Sequence, residues 1–227
     1  MKAIGILGGT FDPVHHGHLR TALEIKNFFS LNEVRLLPSV NPPTIGKLSS
    51  IITPGKFRIQ MLNAALEKQD NLVLDDREFT HKSLKDLQGP DFDKPVFTFD
   101  TLRTIRSENK FSSICFILGM DAFSTFHTWH KNNEILKIAH LIIIPRWGND
   151  LSNSDDLIML NWKKYLTEDI NDIKNKTYGH IFKAPISRLD ISSSQIRQQV
   201  KNGISPRYLL PKAVLDMVLN LKYYDRD

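Results

Sequence analysis

Cysteine is almost absent from this chain of 227 residues, which has only Cys115. One cysteine cannot close an internal disulfide, so a scaffold built on cross-links is excluded. Cys115 lies in the apolar run Ile114-Cys115-Phe116-Ile117-Leu118, the setting of a buried core thiol, and this usage fits a reducing compartment. Long hydrophobic runs are also missing. The most apolar stretch, Ile138 to Pro145, contains His140 and falls far short of the roughly 20 residues that a spanning helix needs, so no membrane partner is expected. Met1 to Leu7 is too short for a signal-peptide core and runs into two glycines rather than a small-residue cleavage pattern, which leads us to expect a cytoplasmic protein. Neither charge dominates: 30 Lys+Arg against 25 Asp+Glu leaves +5. The basic residues are scattered and no recognition motif stands out, so a nucleic-acid-binding module is the weaker reading and small anions such as nucleotide phosphates the stronger one. There is no internal repeat and no linker, so residues 1–227 read as a single domain.

What is present is an alternation. Short apolar runs, at Lys2–Leu7, Glu33–Leu37, Asn71–Asp75, Ser113–Leu118, His140–Pro145 and His180–Ala184, read as strands. Between and after them, Gly17–Ser30, Lys56–Gln69, Thr98–Ser107, Asp121–Thr128, Asn132–Ala139, Ser193–Asn202 and Pro211–Lys222 carry helical spacing. Ser39–Gly55 and His81–Pro95 are rich in loop residues. Residues 147–177 are polar and read as a helical and loop insertion, and 180–227 as a C-terminal strand with helices. Strands alternating with helices imply βαβ units, an α/β fold with a Rossmann-like, doubly wound parallel sheet.

The richest segment joins the first strand to the first helix: Leu7-Gly8-Gly9-Thr10-Phe11-Asp12-Pro13-Val14-His15-His16-Gly17-His18. It falls at the carboxyl end of a strand, where open α/β sheets bind ligands. Gly8 and Gly9 allow close backbone approach, the helix start offers N–H groups and a positive dipole end, and His15 and His18 enter at the same end. All of these converge on an anion. The segment is neither a Walker A loop nor Gly-x-Gly-x-x-Gly, and with no cysteine nearby it is not a zinc site. Near the other end of the chain, Ile191-Ser192-Ser193-Ser194-Gln195-Ile196-Arg197 opens a second helix. Ser192 or Ser193 is a fit N-cap, and Arg197, one turn on, can make forked contacts with phosphate.

Gly8-Gly9-Thr10-Phe11-Asp12-Pro13 followed by His15-x-Gly17-His18 resembles the signature of the His-x-Gly-His nucleotidylyltransferases, and the Ile191–Arg197 run resembles the second signature of that superfamily. Features between them are similar to bacterial nicotinate mononucleotide adenylyltransferases: Leu36-Leu37-Pro38 with Pro42-Pro43, Phe116-Ile117-Leu118-Gly119-Met120-Asp121, Phe126-His127-Thr128-Trp129, and Ala139-His140-Leu141-Ile142 with Arg146. The resemblance implies an ATP site of Gly8, Gly9, Thr10, Phe11, His15, His18, Gly119, Asp121, Ser193, Ser194 and Arg197, completed by the C-terminal region. His15, His18 and Arg197 would be catalytic. It implies a mononucleotide site of Thr10, Thr44, Lys47, Thr98, Trp129 and Arg146. His16 occupies the variable position and inherits no role.

Trp129 can stack on a pyridine ring, and Asp121 can bond ribose hydroxyls. One departure stands out. Where the family has Pro-Pro-His followed by Lys or Arg, this chain has Pro42-Pro43-Thr44 and then Ile45-Gly46-Lys47. Either Lys47 supplies the charge from a shifted position, or Thr44 donates a neutral hydrogen bond. The expected reaction is adenylyl transfer from ATP to nicotinate mononucleotide, with Mg2+ carried by the substrate phosphates. Other transferases of the superfamily, acting on nicotinamide mononucleotide or phosphopantetheine, are the alternatives. Whether the protein is a monomer or a homodimer is not written in the sequence.

Overall fold

The computed structural model describes residues 1–40, 53–80, 95–145, 158–186, 189–221 and 224. Six strands, β1 (Ala3–Gly9), β2 (Glu33–Pro38), β3 (Leu72–Leu74), β4 (Ser113–Gly119), β5 (His140–Ile144) and β6 (Ile181–Lys183), form one sheet in the order β3-β2-β1-β4-β5-β6. The pairs β1–β4, β4–β5 and β5–β6 run parallel, with Ala3 opposite Ser113, Cys115 opposite His140 and Leu141 opposite Ile181. This is the doubly wound α/β arrangement expected from the alternation. β1, β4 and β5 are apolar apart from Ser113 and His140 at the starts of the latter two, because a parallel sheet flanked by helices buries both faces. Ala3 to Leu7 are all buried, as are Ser113 to Leu118 and His140 to Ile144. Cys115 is fully buried beside the Ser113 hydroxyl, and burial pushes its thiol up to about 12, so it behaves as a core residue.

The strand order turns back between β1 and β4, and sheets of this kind take ligands beyond the carboxyl ends of strands at that switch point. β1 ends at Gly9 and β4 at Gly119. Helix α1 (His16–Phe29) follows β1, and helix α2 (Gly55–Leu66) precedes β3. On α2 the buried positions are Arg58, Met61, Leu62 and Ala65, one stripe at helical spacing with a cation at its start.

By compactness the chain falls into two units, each drawing on three stretches of sequence. The first comprises Met1–Gly8, Thr21–Arg35 and Phe97–Arg188, and the second Gly9–Arg20, Leu36–Val96 and Leu189–Asp227. The first holds β4, β5 and β6 with their flanking helices. The second holds α2, the turn after β1 and the C-terminal helices Ser193–Lys201 and Lys212–Leu221.

Element boundaries follow the sequence reading closely, with two instructive differences. The helix expected over Asp121–Thr128 is broken into a short helix, Met120–Phe123, and a 3-10 turn, Phe126–Thr128. Ser124, Thr125 and Thr128 each donate a side-chain hydroxyl to the backbone carbonyl three residues back, at 2.8, 3.1 and 2.7 Å. Such bonds compete with the helical ladder. The helix expected over Asn132–Ala139 likewise shortens to Asn132–Ile135 and continues as tight turns, Lys137 N–H bonding the Glu134 carbonyl and Ile138 N–H that of Ile135. In the polar 147–177 stretch the described residues form a 3-10 turn at Lys163–Tyr165 and a helix at Ile170–Asn175 capped by Asp169. The expected loops fall largely at 41–52 and 81–94, outside the described residues.

Candidate active site

The second unit brings the two signatures together. Backbone after β1 turns sharply: Phe11 has φ 51° and the Asp12–Pro13 peptide bond is cis. Phe11 is fully buried, so its ring serves as a floor and only its backbone can face a ligand. The ring meets His18 edge to face at 4.9 Å between centroids. His15 stacks on His18 at 3.6 Å. Gly17 explains the spacing of the histidines: a Cβ there would stand 2.9 Å from His15 Nδ1, so any other residue would push the imidazole out of its stack.

The two imidazoles are not equivalent. His15 is 4% exposed, whereas His18 is half-buried at the front of the turn. The His15 N–H donates to His18 Nδ1 at 3.3 Å. That bond selects the tautomer of neutral His18 with its proton on Nε2, which makes Nε2 a hydrogen-bond donor. Backbone donors at this helix start are mostly engaged within the protein. His16 N–H bonds the Leu209 carbonyl at 2.9 Å, and His18 N–H bonds the His15 carbonyl at 3.0 Å. The expectation of open N–H groups is narrowed accordingly, and the imidazoles are the chief donors of this turn.

The second signature docks on the first. Ser192 is the N-cap, its hydroxyl accepting from Gln195 N–H. The Ser193 hydroxyl donates to the Pro13 carbonyl at 2.9 Å. Arg197 is half-buried; its Nη1 donates to the Asp12 carbonyl at 2.6 Å and its Nη2 to Ser194 Oγ at 3.2 Å. A guanidinium, two hydroxyls and an imidazole donor are thus assembled by direct contacts between segments at opposite ends of the chain. This donor set suits a polyphosphate and offers no nucleophile–base pair for acyl transfer.

Arg58, on the buried stripe of α2, completes the support and was missed by reading motifs alone. It is 2% exposed, and its Nη1 donates to the Thr10 and Ser39 carbonyls at 2.8 Å each. Burial lowers its pKa, with the Asp12 carboxylate acting the other way. A charged residue at a core position of an amphipathic helix was the signal in the sequence that could have found it.

The remaining candidates belong to the first unit. Gly119 ends β4, and a Cβ there would meet nothing within 4 Å, so there is room beside that backbone. Asp121 lies exposed in the first turn of the helix Met120–Phe123. Thr98 opens the helix Thr98–Glu108. Trp129 is half-buried and makes T-shaped contacts with Phe116 and Phe126, at 6.2 and 5.6 Å between ring centroids. Gly8, at the end of β1, packs against Phe116, where an added Cβ would sit 3.3 Å from the ring. Thr44, Lys47 and Arg146 lie outside the described residues.

A cytidylyltransferase-like family model matches residues 6–199. A Methylococcus capsulatus protein named "Probable nicotinate-nucleotide adenylyltransferase" is 35% identical over 216 residues, covering 95% of this chain and 96% of its own. An Aeromonas salmonicida protein of the same name is 32% identical over 226 residues, covering 99% and 98%. Among solved structures, Plasmodium falciparum nicotinic acid mononucleotide adenylyltransferase complexed with APC matches with a TM-score of 0.70, covering 100% of this chain and 99% of its own at 19% identity, which bears on the fold.

Proposed function

The chain belongs to the cytidylyltransferase-like family, and on that premise we propose that it is a nicotinate-nucleotide adenylyltransferase. It moves AMP from ATP to nicotinate mononucleotide, giving nicotinate adenine dinucleotide and pyrophosphate, a step of NAD biosynthesis. Its full-length relatives carry that name. The observation that carries the reading is the Arg197 contact with the Asp12 carbonyl at 2.6 Å, which joins the two phosphate-binding signatures in one place.

In the mechanism, a phosphate oxygen of the mononucleotide attacks the α-phosphorus of ATP. The new P–O bond forms as the bond to the β-phosphate oxygen breaks, and pyrophosphate leaves. The nucleophile is already an anion at neutral pH, so no general base is needed. Catalysis is positioning and charge stabilisation. His18 donates through Nε2 to the α-phosphate oxygens as charge develops, and His15 holds it in that tautomer and orientation. Ser194 and Arg197 take the β- and γ-phosphates, with Ser193 bound to the turn through the Pro13 carbonyl. Gly8, Gly9, Thr10 and the Phe11 backbone line the turn, and Thr10 places the incoming phosphate. Gly119 and Asp121 serve the adenosine ribose, and Thr98 and Trp129 the pyridine side, Trp129 by stacking. Thr44, Lys47 and Arg146 are assigned to the mononucleotide by resemblance.

A magnesium ion fits this donor set only as a companion of the nucleotide: the side chains of the turn are imidazoles and a guanidinium, and the Asp12 carboxylate is 1% exposed. When bound to the phosphates it would neutralise part of their charge. We also infer a single catalytic domain, since the family match at 6–199 runs through stretches of both units. No helix among the described residues is long and apolar enough to cross a membrane, and we place the reaction in the cytoplasm with small molecules, not nucleic acid, as partners.

Purified protein tests the reading by kcat/KM for nicotinate mononucleotide, nicotinamide mononucleotide and phosphopantetheine, each with ATP and with CTP. The expected outcome is ATP-dependent pyrophosphate release with the nicotinate acid preferred. Equal values for acid and amide would contradict the acid preference, and activity with phosphopantetheine alone would replace the assignment.

A further inference from the structure

We propose that Tyr224 is a positioning residue for the phosphate-binding turn, acting through Asp12 and Thr53. Three residues far apart in the chain close a small ring of hydrogen bonds in the second unit. The Tyr224 hydroxyl donates to Asp12 Oδ1 at 2.7 Å and accepts from Thr53 Oγ1 at 2.9 Å, while the Thr53 N–H donates to Asp12 Oδ2 at 3.3 Å. Both oxygens of one carboxylate are thereby engaged from beneath the turn. Asp12, Thr53 and Tyr224 are 1%, 2% and 5% exposed, so water cannot readily take over these bonds. Burial and the Asp12 carboxylate push the phenol above its ordinary value, which keeps it a donor.

The opposite side of Asp12 meets the site. Its carbonyl accepts from Arg197, the next carbonyl, Pro13, accepts from Ser193, and the preceding ring, Phe11, lies against His18. Asp12 is therefore held by its side chain from one side while its backbone orients catalytic side chains on the other. A phenylalanine would fill the same space but could not hold the carboxylate. The Tyr224 hydroxyl thus sets the aim of Arg197 and the histidine pair, and a small displacement of such groups is costly to the reaction.

The proposal rests on the adenylyl-transfer reading. The full chain and its Tyr224→Phe, Thr53→Val and Thr53→Ser variants, with the double variant Tyr224→Phe/Thr53→Val, are compared for kcat, KM and thermal midpoint. Tyr224→Phe and Thr53→Val should each lower kcat about tenfold with KM for ATP changed less than about twofold. Thr53→Ser, which keeps the hydroxyl, should retain parental kcat. The double variant should lose little more than either single one, because one ring is broken only once. Parental kcat in Tyr224→Phe and Thr53→Val would overturn the proposal. So would a loss that vanishes when the assay is cooled well below each thermal midpoint, or losses that multiply in the double variant. If the parent itself released no pyrophosphate, the functional reading would fail instead, before any variant was compared.

Discussion

Two arginines, Arg58 buried and Arg106 half-buried, do the same physical work at opposite ends of strands. Arg106, in the first unit, donates to the carbonyls of Ile138, Asn109, Ser112 and Thr177 at 2.7 to 3.0 Å. Ser112 and Ile138 lead into β4 and β5, so Arg106 fastens chain entering the sheet. Arg58, in the second unit, donates to the carbonyls of Thr10 and Ser39, just past the ends of β1 and β2, and so fastens chain leaving the sheet. Burial lowers the pKa of both. Ligands of such sheets gather at the carboxyl ends of strands. On the proposed function, the same device serves stability at Arg106 and the placement of chemistry at Arg58, and the two should separate by experiment.

The largest effect belongs to the turn that Arg58 supports. On the proposed mechanism His18→Ala removes a preorganised donor from the developing charge, and it should lower kcat by about 10²–10³. The thermal midpoint should hold, since His18 is half-buried. Near-parental turnover at saturating ATP would remove His18 from the mechanism. Arg58→Met comes next and should show two effects together. The Thr10 and Ser39 carbonyls lose their donor, at a cost of about 1–3 kcal/mol for a buried group left unsatisfied. The turn also loosens, and kcat in the folded fraction should fall about 10- to 100-fold. A variant that lost stability yet kept parental kcat would make Arg58 a second Arg106.

Much of this was legible in the sequence because its signals are local. Strands that are buried on both faces carry unbroken apolar runs, as at Ile114–Leu118, and Gly8 and Gly9 sit where the Phe116 and Phe11 rings approach backbone. The two signatures suggested a shared phosphate site, and their contact through Arg197 and Asp12 is what the structure adds. What escaped depends on contacts between distant segments. Nothing near Tyr224 or Thr53 indicates that both bond Asp12, since the three meet only after the chain folds. Arg58 is intermediate: its spacing to Met61, Leu62 and Ala65 could have marked it as buried, though not what it would hold. The break in the helix after Met120 was missed, although hydroxyl residues such as those at 124, 125 and 128 compete with a helical ladder.

Arg106→Met should show the other half of the comparison. Several carbonyls lose a shared donor, so unfolding free energy should drop by at least about 1–3 kcal/mol in a denaturant titration. In the fraction that remains folded, kcat should stay within about twofold of the parent. A tenfold loss of kcat without a loss of stability would erase the distinction between the two arginines.

The smallest effect is one of pH and belongs wholly to the first unit. His140 is fully buried in β5; its Nε2 lies 2.9 Å from the Lys176 carbonyl, and its Nδ1 accepts from His180 N–H. Burial pushes it down to about 4, with His180 and Arg106 acting the same way and the Lys176 carbonyl and Asp172 opposing them. The unfolded chain has an ordinary imidazole near 6.5. Between those values the unfolded state binds the extra proton. Stability from this residue is therefore complete above about pH 6.5 and drains as pH falls toward 4, by at most about 1.4 kcal/mol per unit. His180 is also lowered by burial and adds a slope of the same sign, so His140→Gln should flatten the dependence without abolishing it. Asp172, held near 2 by Lys176 and Thr167, loses its contribution only below the ordinary carboxylate range and leaves the window clear. Urea titrations at pH 7 and pH 5 measure the difference. An unchanged slope in His140→Gln would show that the imidazole is not the group responsible. The pH profile of kcat should be the same in parent and variant, because the residue that titrates holds the sheet and takes no part in the phosphate site.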